Sequence, residues 1–202
     1  TVTVTLEPDT TAPVITLAAE ADLATEAGVA FTAPVFSASD DRDGDLTAQV
    51  TVGGDTVDSS TPGVYTLTYN VSDAAGNAAA QVTCTVTVAD TTAPAITLKG
   101  EAEVSHEAGT AYADAGATAA DIFEGDLTAK LATENPVDPS KLGEYTVTHR
   151  VTDTAGNEGV ATRKVTVVDT TSPVLALIGD AEVIHQGGAE YIDAGVTSVD
   201  SL

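Results

Sequence analysis

The chain has 202 residues, room for one large domain or two small ones, and its 31 acids against 7 bases give a formal charge of −24 at pH 7. Hydrophobic residues make up 43%, too many for a disordered acidic tail, while aromatics are 4% and Trp and Met are absent. A polyanion of this kind is repelled by phosphate backbones and anionic lipid, which excludes ordinary nucleic-acid and membrane-surface partners and favours cations.

Residues 1–8, TVTVTLEP, read as the last strand of a preceding repeat. The string Asp-Thr-Thr-Ala/Ser-Pro then recurs at Asp9–Pro13, Asp90–Pro94 and Asp169–Pro173, at intervals of 81 and 79 residues. Between these markers the same words return in order. Glu26-Ala-Gly28 matches Glu107-Ala-Gly109, and Asp43-Gly-Asp45-Leu-Thr47 matches Glu124-Gly-Asp126-Leu-Thr128. The run from Gly63 to Asn77 matches that from Gly143 to Asn157. The spacing divides the chain into repeat one at 9–89, repeat two at 90–168 and a partial third repeat at 169–202 that holds the first two main strands, A and B.

Each copy reads as short strands rich in Val, Thr, Ile and Tyr, punctuated by Gly, Pro, Asn and Asp. In repeat two the pattern predicts strand A at Ala95–Leu98, A′ at Glu103–Ser105, B at Ala111–Ala119 and C at Leu127–Thr133. A weak D/E region follows near Val137–Pro139, then F at 144–152 and G at 159–168. Alternation turns Tyr65, Leu67, Tyr69 and Val71 inward in repeat one, and Tyr145, Val147, His149 and Val151 in repeat two. Val82, Cys84, Val86 and Val88 form the facing apolar row. Six or seven antiparallel strands in about eighty residues is the arithmetic of a β-sandwich. Glycines two residues ahead of Tyr65 and Tyr145 resemble a tyrosine corner, and one cysteine leaves no intrachain disulfide. The fold class is therefore all-β: tandem immunoglobulin-like sandwiches without a disulfide.

The combination Asp-Thr-Thr-x-Pro, Tyr-x-Asp-x-Gly-Ala (Tyr112–Ala117), x-Gly-Asp-Leu-Thr, Gly-x-Tyr-Thr-x-Thr and Asp-x-Ala-Gly-Asn resembles the bacterial Ig-like surface-protein repeat, a relative of the hyalin-type repeats. The resemblance covers residues 9–202. Repeat one departs from it at Phe31–Phe36, where Pro34 predicts an edge or bulged strand. What the resemblance implies is a tandem array in a large secreted or cell-surface bacterial protein.

Ig-like topology places the start of A, the B–C loop and the F–G loop at one pole. In repeat one those places hold Asp9, then Asp40, Asp43 and Asp45, then Asp73 and Asn77. In repeat two they hold Asp90, then Asp121, Glu124 and Asp126, then Asp153 and Asn157. Carboxylates gathered in this way repel one another unless a hard cation lies among them, and six to eight oxygen ligands suit Ca²⁺ at the weak extracellular affinity of roughly 10⁻⁴–10⁻³ M. The plainer alternative is that these residues only frame turns through side-chain-to-backbone bonds. Asp41–Asp45 imitates the front of an EF-hand loop but lacks its twelfth-position Glu and its helices.

No nucleophile–base constellation or phosphate loop is present, so the chain is not read as an enzyme. His106 and His185 read as strand-surface residues, His149 as a packed histidine, and Cys84 as core. The expected function is a calcium-stiffened stalk or spacer of an extracellular or cell-surface bacterial protein, adhesin-like or part of a surface fibre, whose partners are neighbouring repeats of the same chain. Two alternatives stand beside it: an accessory polysaccharide-binding module of a secreted hydrolase, and a self-assembling subunit of an extracellular filament or sheath. Few aromatics are free to stack on sugar, with only Tyr112 and Tyr191 uncommitted among the tyrosines weighed for a platform.

Overall fold

The computed structural model describes residues 7–18 and 21–200, so most of the expected strand at 1–8 lies outside the described residues. Contacts divide the chain into two compact units. The first comprises Thr1–Pro94 with Asp121–Gly125 and Asp153–Asn157; the second comprises Ala95–Ala120, Asp126–Thr152 and Glu158–Leu202.

Repeat one contributes β1 (Val14–Leu17), β2 (Asp22–Glu26), β3 (Phe36–Asp40), β4 (Gly44–Asp45), β5 (Thr51–Gly54), β6 (Gly63–Asn70) and β7 (Val82–Ala89). One sheet has the order β1-β3-β4 and the other β2-β7-β6-β5. β1 pairs antiparallel with β3, whereas β2 pairs parallel with β7. The first strand thus divides its pairing between the two sheets, as A and A′ do in an Ig-like sandwich. The inward row closes a core of Ile15, Ala38, Leu46, Leu67, Tyr69, Val71, Cys84 and Val86. Phe36 and Tyr69 meet inside it with ring centroids 5.2 Å apart.

Repeat two has β8 (Ala95–Leu98), β9 (Glu103–Glu107), β10 (Ala117–Asp121), β11 (Gly125–Asp126), β12 (Ala132–Glu134), β13 (Gly143–Thr152) and β14 (Glu158–Val168). Its sheets, β11-β10-β8 and β12-β13-β14-β9, repeat the same order, including the parallel β14–β9 pair. In the third copy β15 (Val174–Leu177) and β16 (Val196–Val199) form an antiparallel pair.

Three strand expectations are corrected. Strand B begins at Ala117, not Ala111, because Asp114 Oδ1 accepts the Gly116 amide at 2.7 Å and Gly116 adopts φ +79°, a turn that breaks extension. Strand C is replaced by the two-residue β11, a 3-10 turn at Thr128–Lys130 and β12, because Asp126 Oδ1 accepts the Thr128 amide at 2.9 Å and winds the chain. The Val137–Pro139 segment is not a strand: Asn135 and Asp138 bend it by accepting the amides of Val137 and Ser140. The tyrosine corner is present in both copies. Tyr145 Oη donates to Lys141 O at 2.9 Å, and Tyr65 Oη bonds Thr61 O at 2.8 Å. No helix among the described residues is long and apolar enough to cross a membrane.

Candidate metal centre

The acidic words build their own loops. At the end of β3, Asp40 Oδ1 accepts the amides of Arg42 at 2.9 Å and Asp43 at 3.0 Å; at the end of β10, Asp121 Oδ1 accepts those of Phe123 at 2.7 Å and Glu124 at 2.9 Å. Each Asp therefore curls its B–C loop and leaves the other carboxylate oxygen free of that task. In the F–G hairpin, Asp73 Oδ1 accepts the Asn77 amide and Oδ2 accepts Asn77 Nδ2, both at 2.7 Å. Asp153 and Asn157 repeat the arrangement at 2.7 and 2.8 Å.

The same side chains tie the three segments together within the first unit. Asn77 Nδ2 also donates to Asp9 O at 3.2 Å, and Asn157 Nδ2 to Asp90 O at 3.3 Å. Asp43 Oδ2 accepts the Ala74 amide at 2.8 Å. Glu124 Oε1 accepts from the Thr154 amide and, at 2.6 Å, from its hydroxyl. Two carboxylate groups result. Asp9, Asp40, Asp43 and Asp73 each present an oxygen within 4.8 Å of the others, and Asp90, Glu124 and Asp153 do the same.

Of the sequence-predicted residues, Asp45 and Asp126 stand outside both groups. Each accepts a threonine amide at 2.9 Å, from Thr47 and Thr128, and bonds with those threonines hold both carboxyls below the usual range. Asn77 and Asn157 use their amide nitrogens as donors that frame the hairpin. Asp121 lies beside the second group: it is 7% exposed, and its Oδ2 is buried without a hydrogen-bond partner.

The electrostatics of the two groups differ. Asp73 and Asp153 sit below the usual carboxylate range: burial opposes ionisation, but the Asn77 and Asn157 bonds outweigh it. Asp90 goes the other way. Burial pushes its carboxyl up, and the like charges of Asp121, Asp153 and Glu26 push it further. Neither oxygen of Asp90 has a hydrogen-bond partner. Such a carboxylate is costly to keep ionised unless a cation or a proton joins it.

Sequence reasoning missed a second use of acid. Glu26 Oε1 accepts the amides of Thr91 at 2.8 Å and Thr92 at 3.0 Å, while Oε2 accepts the Thr91 hydroxyl at 2.6 Å. Glu107 grips Thr170 and Thr171 in the same way. These bonds, led by the threonine hydroxyls, bring both carboxyls down to about 2. The available signal was the joint recurrence of Glu-Ala-Gly and Asp-Thr-Thr. Also missed was a buried network in repeat two. Arg163, 1% exposed, donates to Asp114 Oδ2, to Lys99 O and, at 2.8 Å, to Glu101 O. His149 faces Asp114 at 3.3 Å and Thr133 Oγ1 at 2.9 Å. Tyr112 is committed as well, its hydroxyl 3.1 Å from Asp114 Oδ2, which removes one of the two tyrosines left for sugar stacking.

Comparison with known proteins places this geometry in context. Over 137 residues, 65% of the chain, it is 34% identical to the pesticidal crystal protein Cry22Aa of Bacillus thuringiensis, of which that stretch is 18%. The Clostridium perfringens ZmpB structure, a catalytic domain with two CBM51 domains, superposes with a TM-score of 0.53 at 13% identity, over 84% of this chain and 33% of that one, a likeness of fold alone. A lipoprotein of Bacteroides thetaiotaomicron matches 39% of each chain at 23% identity and a TM-score of 0.35. The chain thus spans less than a fifth of the curated relative's length. The family described as bacterial surface protein, Ig-like domain, matches residues 15–88 and 96–167, and with both full repeats covered the chain belongs to that family.

Proposed function

We propose that this segment is a non-catalytic spacer of a bacterial secreted or cell-surface protein, and that Ca²⁺ taken up by its carboxylate groups stiffens it. The observation that carries the reading is the convergence, in both repeats, of acids from the A-strand start, the B–C loop and the F–G hairpin. Turn framing accounts for Asp73, Asp153 and one oxygen each of Asp40 and Asp121. It leaves Asp40 Oδ2, Asp121 Oδ2 and both oxygens of Asp90 buried and unpartnered, a set of hard donors that a divalent cation satisfies. Asp90 follows directly on repeat one and, through Asn157, is tied to the F–G hairpin of repeat two. An ion held there joins linker to loops.

The test is thermal melting of the chain in EDTA and in millimolar Ca²⁺. A ligand that binds only the native state raises Tm with concentration. The expected result is a Ca²⁺-dependent rise that Mg²⁺ reproduces poorly, since Mg²⁺ demands a smaller, stricter octahedron. Superimposable melts in EDTA and Ca²⁺ refute the calcium part and leave a spacer stiffened by its hydrogen bonds alone.

A second reading, an accessory module of a secreted hydrolase, draws support from the ZmpB structure, part of which superposes on this chain and which holds a catalytic domain with two CBM51 domains. The two readings are compatible in a multidomain protein. Retention on an insoluble glycan, abolished by Tyr191→Ala, would favour a binding role over a purely spacing one.

A further inference from the structure

We propose that the two carboxylate groups are unequal cation sites, and that the site around Asp90 fills first, at a Ca²⁺ concentration about tenfold lower than the site around Asp9. This rests on the calcium reading above and adds the order of loading.

The two sites share a plan, so their differences are informative. Asp9 Oδ1 accepts the Thr11 amide at 3.1 Å, a bond that a metal ligand there must share or lose. Asp90, its counterpart, has both oxygens buried and free of hydrogen bonds. Asp121, nine-tenths buried, adds a third unpartnered oxygen, where the first site has only that of its counterpart, Asp40 Oδ2, and its charge bears on Asp90. Glu26 adds like charge from the end of β2, so Asp90 stands among the acids Asp121, Asp153 and Glu26.

The loop around the first group carries a base, Arg42, beside an additional acid, Asp41. Arg42 follows Asp40 and Asp41 and donates Nη1 to Glu7 O at 2.7 Å. The corresponding positions of the second loop are Ile122 and Phe123, which bring no charge. Ile122 O lies 3.0 Å from where a Cβ on Gly28 would stand, so the second loop rests against repeat-one backbone inside the first unit. Cation affinity in oxygen sites follows ligand charge count and rigidity. Clustered carboxylates number four at the first site and three at the second. The Asp90 site leads instead by its buried unpartnered oxygens, three against Asp40 Oδ2 alone, by a loop without a base and by the seating of that loop.

Terbium luminescence or calorimetric Ca²⁺ titration of the whole chain tests this with matched variants, Asp90→Asn against Asp9→Asn. Asp121→Asn and Asp40→Asn form a second pair in case either of the first fails to fold by circular dichroism. The expected result is two phases separated by about tenfold. Asp90→Asn and Asp121→Asn should remove the tighter phase, Asp9→Asn and Asp40→Asn the weaker. A single phase diminished alike by either pair, or loss of the tighter phase in Asp9→Asn, overturns the loading order while Ca²⁺ binding stands. Wild-type protein that takes up no ion overturns the calcium reading itself.

Discussion

Arg163 occupies in repeat two the inward position that Cys84 holds in repeat one: Arg163 faces Val147 across β13–β14, and Cys84 faces Leu67 across β6–β7. Around it the substitution is coordinated. Asp114 stands where repeat one has Ala33, and His149 where it has Tyr69. The same cavity is filled once by apolar side chains and once by an ion pair with its hydrogen bonds completed by backbone carbonyls.

Breaking this pair should be costly. Asp114→Asn or Arg163→Ala leaves a buried charge uncompensated, and about 3–5 kcal/mol of repeat-two stability should be lost. Replacing the whole set by repeat-one residues, Asp114→Ala with His149→Tyr and Arg163→Cys, should recover most of that loss, because an apolar filling of similar volume avoids desolvating two ions. Urea unfolding followed by circular dichroism reads both. A triple variant no better than the single ones would mean that the network is not a replaceable filling.

The strand plan was legible because period-two alternation and turn residues coincide in β6, β7, β13 and β14. Asp114 shows where such reading stops. In sequence it lies within a run that looks extended, yet its carboxylate turns the chain at Gly116 and reaches across the sandwich to Arg163. Nothing local announces a partner 49 residues away. The gathering of Asp9, Asp40, Asp43 and Asp73 was legible because topology alone brings those loops to one pole. The roles within the group were not: Asp45 and Asp126 share composition and spacing with the others but serve as turn formers for Thr47 and Thr128.

The glutamate clasps predict a particular acid response. Glu26 and Glu107 titrate near 2 in the native protein against an ordinary 4.5. The unfolded chain therefore binds these protons first as pH falls, so the clasps contribute fully above about 4.5 and lose their contribution on the way down to about 2. Glu26→Gln and Glu107→Gln should lower Tm at neutral pH and flatten its decline between about pH 5 and pH 2. Melting curves that stay parallel to wild type over that range would show that the clasps do not stabilise the fold.

Each tyrosine corner closes a loop by one side chain. Removing the hydroxyl with Tyr145→Phe deletes the bond to Lys141 O and keeps the ring, so a loss of about 1 kcal/mol is expected. Tyr65→Phe should cost at least as much, since its hydroxyl lies near both Thr61 O and Asp58 O. Equilibrium denaturation at unchanged m-value is the measurement. An altered m-value would mean that the corner shapes the compactness of the chain and not a local loop alone.

Asp90 yields a prediction whose sign depends on the medium. Without metal its carboxylate is buried, unpartnered and pressed by Asp121, Asp153 and Glu26. Asp90→Asn removes one charge from that crowd, so in EDTA the variant should melt above wild type. In Ca²⁺ the same substitution removes a ligand, and the variant should melt below wild type. The Asp9→Asn variant lacks the first half of this behaviour, because the Asp9 carboxylate is already partnered by the Thr11 amide, a bond that the Asn carbonyl oxygen keeps, and no unpartnered charge is relieved. Reversal of the Tm order between EDTA and Ca²⁺, seen for Asp90→Asn and not for Asp9→Asn, distinguishes a charge kept for a cation from a charge kept for the fold. If Asp90→Asn lowers Tm equally in both media, Asp90 is a structural residue and the cation has no claim on it.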